Sequence, residues 1–189
     1  MTSSRVIKWL AGFGIVGALL TIVMIILMFI SPDGSFGKYL DLAGTLFLIF
    51  VIIAIYHIHM KNSGTFGLVS FIICIIGTGL VIGVKWVHTF VVPALSVHAP
   101  EFVDQPPSLI IGGQMGSFAI FMIGWVLIGI LVAKKGYLSK ISGILLIIAP
   151  ILDFIPIGYY VAQPLFAIAI LWISFQLFKR NDIDNTQET

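Results

Sequence analysis

The sequence predicts an all-α fold, a polytopic bundle of transmembrane helices, and three observations predict it. Hydrophobic residues make up 59% of the chain and charged residues only 10%, against roughly a quarter charged in an ordinary soluble domain. The mean hydropathy is +1.13. Apolar runs approaching or exceeding the roughly 20 residues that carry a helix across about 30 Å of hydrocarbon recur along nearly the whole chain. The runs are continuously apolar and lack alternation, and in lipid each segment must satisfy its own backbone hydrogen bonds, so helices are expected and a barrel is not.

The first run, 9–30, follows Arg5 and Lys8 as a secretory signal would, but it is too long and ends in Ile30-Ser31-Pro32-Asp33 without a small-residue cleavage site. It is read as the first span. The others are 39–60, 66–92, 109–133, 141–157 and 159–178, giving six spans in one domain, 1–180. The fifth is short and holds Pro150, Asp153 and Pro156; if it re-enters without crossing, the spans number five. The polar segment 181–189 is expected to be a disordered tail.

Charge placement orients the bundle. Arg5, Lys8, Lys61, Lys134, Lys135, Lys140, Lys179 and Arg180 fall on one side of the six-span arrangement, leaving Lys38 and Lys85 for the other. The positive-inside rule makes the richer side cytoplasmic, with both termini there, and sends Asp33, Asp41, Glu101, Asp104 and Asp153 to the outer face of the cell membrane. Trp9, Trp86 and Tyr39 sit at span ends, where aromatic rings anchor in the headgroup region. A net charge of +2 without a basic stripe excludes nucleic-acid binding, and Cys74, the single cysteine, has no disulfide partner within the chain.

Several patterns formally resemble sites. Gly12-Phe13-Gly14-Ile15-Val16-Gly17 matches the dinucleotide fingerprint, but no strand precedes it and its surroundings belong in lipid. Small residues spaced four apart, Gly79 with Gly83 and Ser108 with Gly112 and Gly116, read as helix-packing faces, within the bundle or against a second copy. His57 and His59 stand two apart near the inner end of the second span and project in nearly opposite directions, and His88 and His98 lie near the outer face, so no pair stands at matching depth on facing helices to hold a haem. His88, His98, Glu101 and Asp104 share a loop region, but their spacing matches no metal motif; neither metal nor cofactor is expected. No hydrolase, metalloprotease or nucleotide-binding motif is present, which excludes the enzyme classes that carry them.

The polar residues of the outer half remain. Asp41, Lys85, His88, Gln114, Asp153 and Gln163 all map there by counting crossings. A lysine or aspartate costs about 2.5–3.5 kcal/mol at a helix centre, so such groups snorkel, pair or face a wet cavity. Lys85 is expected to pair with Asp153 or Asp41. Together the six residues suggest an outward-facing polar pocket, floored by Gln114 and shaped by Pro150, which frees the carbonyl of Leu146. The segment 93–107, stiffened by Pro93, Pro100, Pro106 and Pro107, is expected as a loop above it.

In the C-terminal half, a helix ends in Lys134-Lys135, the turn Gly136-Tyr137-Leu138-Ser139-Lys140 follows, then a Gly-containing apolar helix from Ile141, and Pro164 leads into Ile170-Leu171-Trp172-Ile173 and Lys179-Arg180. This stretch, 122–179, resembles a family of small multi-span bacterial membrane proteins defined as a domain of unknown function. The resemblance implies a similar helical fold and brings no activity, cofactor or site residue with it. Two functions are compatible with the whole. One is a noncatalytic sensor, accessory or interaction component that meets the lipid bilayer and a membrane-protein partner or a second copy. The other is a small-solute or ion permease using the outer pocket.

Overall fold

The computed structural model describes residues 3–31, 36–153, 155 and 158–186. Its described residues are all helix and connection, with no strand. In chain order they form α1 (Ser3–Ile30), α2 (Phe36–Trp86), a π-helical turn (Val87–Val91), α3 (Val92–His98), α4 (Pro100–Asp104), α5 (Ser108–Lys135), α6 (Lys140–Leu152) and α7 (Tyr159–Thr186). Asp33, Pro156 and the expected end of the fifth span at residue 157 lie outside the described residues.

Five helical stretches are long and apolar enough to cross a membrane: Arg5–Ile30, Phe36–His59, Ser63–His98, Ser108–Lys134 and Tyr160–Lys179. The second and third belong to α2, which reverses at Gly64 (φ 54°, ψ −150°). Only a residue without a side chain adopts that conformation readily, so one glycine turns a 51-residue helix into two arms. The arms face each other: Tyr56 and Phe71 stack with ring centroids 4.3 Å apart.

The remaining rods close a ring. The second arm of α2 lies on α5, α5 on α6, α6 on α7, and α7 returns to α1, which packs on the first arm of α2. Neighbours run antiparallel. At one end Lys8 lies over the Phe178 ring at 5.9 Å and Ser139 N–H donates to Gln176 Oε1 at 2.9 Å; at the other, the rings of Phe29 and Tyr160 are 5.9 Å apart. The start of α1 and the end of α7 therefore share one end of the bundle. The turn between α5 and α6 lies at that same end, where Gly136 ends α5 in the left-handed conformation (φ 67°).

Inside the ring, Ile52, Ile55, Trp125, Ile128, Leu131, Ile170, Ile173 and Leu177 are fully buried. Outside it, α1 shows Val6, Trp9, Phe13, Val16, Val23 and Ile26 along one exposed stripe. An apolar exterior on every long helix, with polar groups gathered inside, is the arrangement that lipid as solvent demands.

Three features depart from expectation. The segment 93–107 is mostly helix, because Pro93 and Pro100 stand in the first turns of α3 and α4, where a missing N–H costs nothing. Helix α7 continues through Thr186, six residues into the expected disordered tail, since neither proline nor glycine interrupts that stretch. The fifth span is represented by α6, whose 13 residues rise about 20 Å and stop at Asp153.

Candidate functional site

The polar groups meet at the end of the bundle away from the α5–α6 turn. Asp41 lies in the first turns of α2, Lys85 near its far end, Asp153 caps α6 and Gln163 opens α7. Because α2 folds back at Gly64, residues 44 apart in sequence become neighbours: Lys85 Nζ donates to Asp41 Oδ1 at 2.6 Å. It also donates to Thr45 Oγ1 at 2.9 Å, and Thr45 in turn donates to the Asp41 carbonyl at 2.7 Å. Thr45 stands one turn after Asp41, so its hydroxyl closes a network in which the two bonds from the lysine are charge-assisted. Lys85 and Asp41 retain 21% and 26% of their side-chain exposure, so the pair is part-buried.

These groups line a small cavity of about 50 Å³, open at its mouth. Its polar wall is Thr21, Asp41, Thr45, Lys85, Asp153 and Gln163, and its aromatic wall is Phe118, Phe121 and Phe166. The aromatic wall continues into the core, where Trp125 packs edge-on against Phe166 with centroids 4.9 Å apart. Pro150 is buried in α6 and also lines the cavity; its ring nitrogen has no hydrogen to give to the preceding turn.

Asp153 differs from Asp41. Its carboxylate lies beside the Gln163 side chain and within electrostatic reach of Lys85, yet its Oδ1 is buried and has no hydrogen-bond partner among the described residues. Lys85 makes its short contact with Asp41, and of the two pairings expected for it this is the one formed.

Four of the six expected pocket residues thus converge: Asp41, Lys85, Asp153 and Gln163. Gln114 does not line the cavity. It lies one turn before Phe118 on the same stripe of α5, nearer the end of the bundle, and α5 lines the cavity with Phe118, Phe121 and Met122 instead. His88 is also absent from the lining; it is exposed, and its Nδ1 shares a 2.9 Å hydrogen bond with the Val84 carbonyl. The π-helical turn that begins at Val87 widens the backbone just past Lys85, and Thr89 donates to the Lys85 carbonyl at 2.7 Å. Thr45, Thr21 and the three phenylalanines were not anticipated. Thr45 was within reach, lying four residues after Asp41 on the same helical face.

The glycine faces are corrected as well. Gly79, Gly83, Gly112 and Gly116 have nothing within 4 Å of where a side chain would start, and Ser108 is exposed, so none of the five packs within the bundle. Close crossings occur at other small residues. A methyl group on Gly77 would lie 2.5 Å from Phe121 N, and one on Gly124 would lie 2.5 Å from the Cys74 Cα. Gly129 and Gly143 bring α5 and α6 together in the same way. Gly17 meets Gly44 between α1 and α2 and Gly14 lies against Val51 and Ser174, so two glycines of the formal dinucleotide match serve helix packing, while Gly12 faces open space.

Elsewhere, among the described residues no three His, Cys, Asp or Glu side chains gather as a metal site would require. His59 is buried at the other end of the bundle, with its ring edge-on to Tyr137. No family model, no curated protein and no solved structure matches this chain.

Proposed function

We propose that this chain is a six-crossing protein of the cell membrane, with both termini on the cytoplasmic side, which binds a small polar solute in the cavity between Asp41, Lys85, Asp153 and Gln163. The role is noncatalytic: a sensor or accessory component whose helices respond to the solute. One observation carries this reading, the convergence of four polar residues from three separate helices on one cavity inside an otherwise apolar bundle. Ionisable groups at such depth are costly, and a wet binding site is the role that most often accounts for them.

The membrane topology supports the outward direction. Eight of the ten basic residues belong to the end that carries the α5–α6 turn, and the cavity belongs to the opposite end. Helix α6 is short for a full crossing, but it lies antiparallel to α7 between the levels of Gln176 and Gln163, as a crossing segment would. The likeness of 122–179 to the uncharacterised bacterial membrane family adds a shared helical plan to this reading and no ligand.

A permease is the second reading, favoured by Pro150 and Pro164. Each interrupts the hydrogen bonding of a helix beside the cavity, as broken helices do in transporters. Against it, the core beyond the cavity is filled by fully buried Ile52, Trp125, Ile128 and Ile170.

The test is thermal melting of the purified protein against a panel of ions, amino acids, lipids and quinones. A solute that raises the melting temperature of the native chain, and whose shift is lost in at least one of Asp153→Asn and Lys85→Ala, identifies the cavity as its site. Shifts that survive both substitutions place binding elsewhere and sink the reading. Uptake into proteoliposomes then separates permease from sensor.

A further inference from the structure

The cavity walls hold two carboxylates, Asp41 and Asp153, and one ammonium, Lys85. Helices α1, α5 and α7 contribute no ionisable side chain to the lining; their polar share is Thr21 and Gln163. Lys85 is bonded to Asp41 at 2.6 Å and to Thr45 at 2.9 Å, which leaves Asp153 Oδ1, buried and aimed into no described donor, as the acceptor without a match. The unmatched atom is a carboxyl oxygen, which a hydrogen-bond donor satisfies, a charged one most strongly.

The aromatic lining, contributed by α5 and α7 on either side of α6, suits the same guest. Phe118, Phe121 and Phe166 present three aromatic rings to the cavity, and a cation over an aromatic face is held by the ring quadrupole, most strongly where water is excluded. Leu48, Val81 and Met122 supply apolar surface for a hydrocarbon body. An anion would meet the reverse arrangement, because the only ammonium is already bonded to Asp41 and the second carboxylate would repel it.

Resting on the pocket reading above, we infer that the solute is a small organic cation: an ammonium that takes Asp153 as counter-ion, with its hydrocarbon part against Phe118, Phe121 and Phe166. Gln163, beside Asp153, orients the carboxylate and offers a second polar contact to the bound ammonium. The Lys85–Asp41 pair also lines the cavity and, already joined to each other, contributes no counter-charge to the guest.

The experiment is thermal melting in nanodiscs of zwitterionic lipid at constant ionic strength, with ethylammonium and butylammonium chlorides, the isosteric alcohols, butyrate and sodium chloride. The ammonium salts are expected to raise the melting temperature by about 5–10 °C at saturating concentration, with the alcohols, butyrate and sodium without effect. Asp153→Asn should remove the shift, and Lys85→Met should keep it, since Asp41 then becomes a second available counter-ion. If Asp153→Asn does not fold, Phe166→Leu is read instead and should raise the concentration needed for half the shift at least threefold.

Equal shifts from alcohol and ammonium, or an ammonium shift that persists in Asp153→Asn or is unaltered in Phe166→Leu, overturn the inference. A shift from butyrate alone that is lost in Lys85→Met overturns the cation and leaves the pocket standing. No shift from any compound here or in the wider panel removes both.

Discussion

Lys85 Nζ and Asp41 Oδ1 lie 2.6 Å apart, joining the two ends of a helix that doubles back between them. The pair sits at the rim of the cavity and keeps the mouths of both arms together. Substituting Lys85→Met leaves the part-buried Asp41 carboxylate without its ammonium partner and should cost about 1.5–3 kcal/mol. Asp41→Leu should cost a similar amount. The double variant should be less destabilised than the two single effects added, because neither charge is then stranded; strict additivity in melting experiments would show that the two groups are not coupled.

Gly77 and Gly124 set the distance between the second arm of α2 and α5, where backbone meets backbone. Gly77→Leu or Gly124→Leu forces the helices apart, and a loss of about 1–3 kcal/mol or more is expected from overpacking. Gly79→Leu and Gly116→Leu face open space and should leave the melting temperature of the monomer unchanged. A stable Gly124→Leu beside an unstable Gly116→Leu would contradict the helix phases described above.

Gly64 and Gly136 both have positive φ but differ in tolerance. At Gly136 (φ 67°, ψ 3°) the left-handed region admits asparagine at modest cost, whereas Gly64 (φ 54°, ψ −150°) lies where side chains strain the backbone by about 1–3 kcal/mol. Gly136→Asn should therefore express and melt nearly as the native chain, and Gly64→Asn should show the larger loss. Expression level and melting midpoint in detergent distinguish them.

The proposed orientation is open to cysteine labelling. In a Cys74→Ala background, Glu101→Cys in α4 should react with an impermeant maleimide added outside intact cells, and Lys140→Cys should react only after the membrane is opened. The reverse pattern would invert the bundle and turn the cavity toward the cytoplasm.

Much of this arrangement is legible in residue order, and what is not has identifiable causes. Long apolar runs announce the helices because hydrocarbon leaves no alternative, and counting crossings is enough to bring Asp41, Lys85, Asp153 and Gln163 to one end. Counting gives depth only to within a turn, which is why Gln114 was expected on the floor and stands above the lining instead. Rotation about each helix axis is less legible still. The four-residue spacing of Gly112 and Gly116 shows that they share a face, but nothing in it says whether that face looks inward. Gly77 and Gly124, which do look inward, have no glycine four residues away to mark them. The aromatic wall escaped for the same reason: with 15 phenylalanines in the chain, only the three-dimensional phase separates Phe118, Phe121 and Phe166 from those that face lipid.

The contact between α1 and α7, seen where Lys8 reaches Phe178 and Phe29 meets Tyr160, has a bearing on biogenesis. Synthesis proceeds from the N-terminus at about 5–20 residues per second, so α1 emerges some ten to thirty seconds, in order of magnitude, before α7 is complete. Through that interval Gly14, which in the finished ring lies against Ser174, has no helix beside it on that side. The nascent bundle is an open crescent, and the seam between α1 and α7 is the last to be sewn. Stalling or truncation before α7 leaves Asp153 without Gln163 and the cavity unwalled, a half-built vestibule with a carboxylate turned toward lipid, which is the kind of lesion that membrane quality control removes.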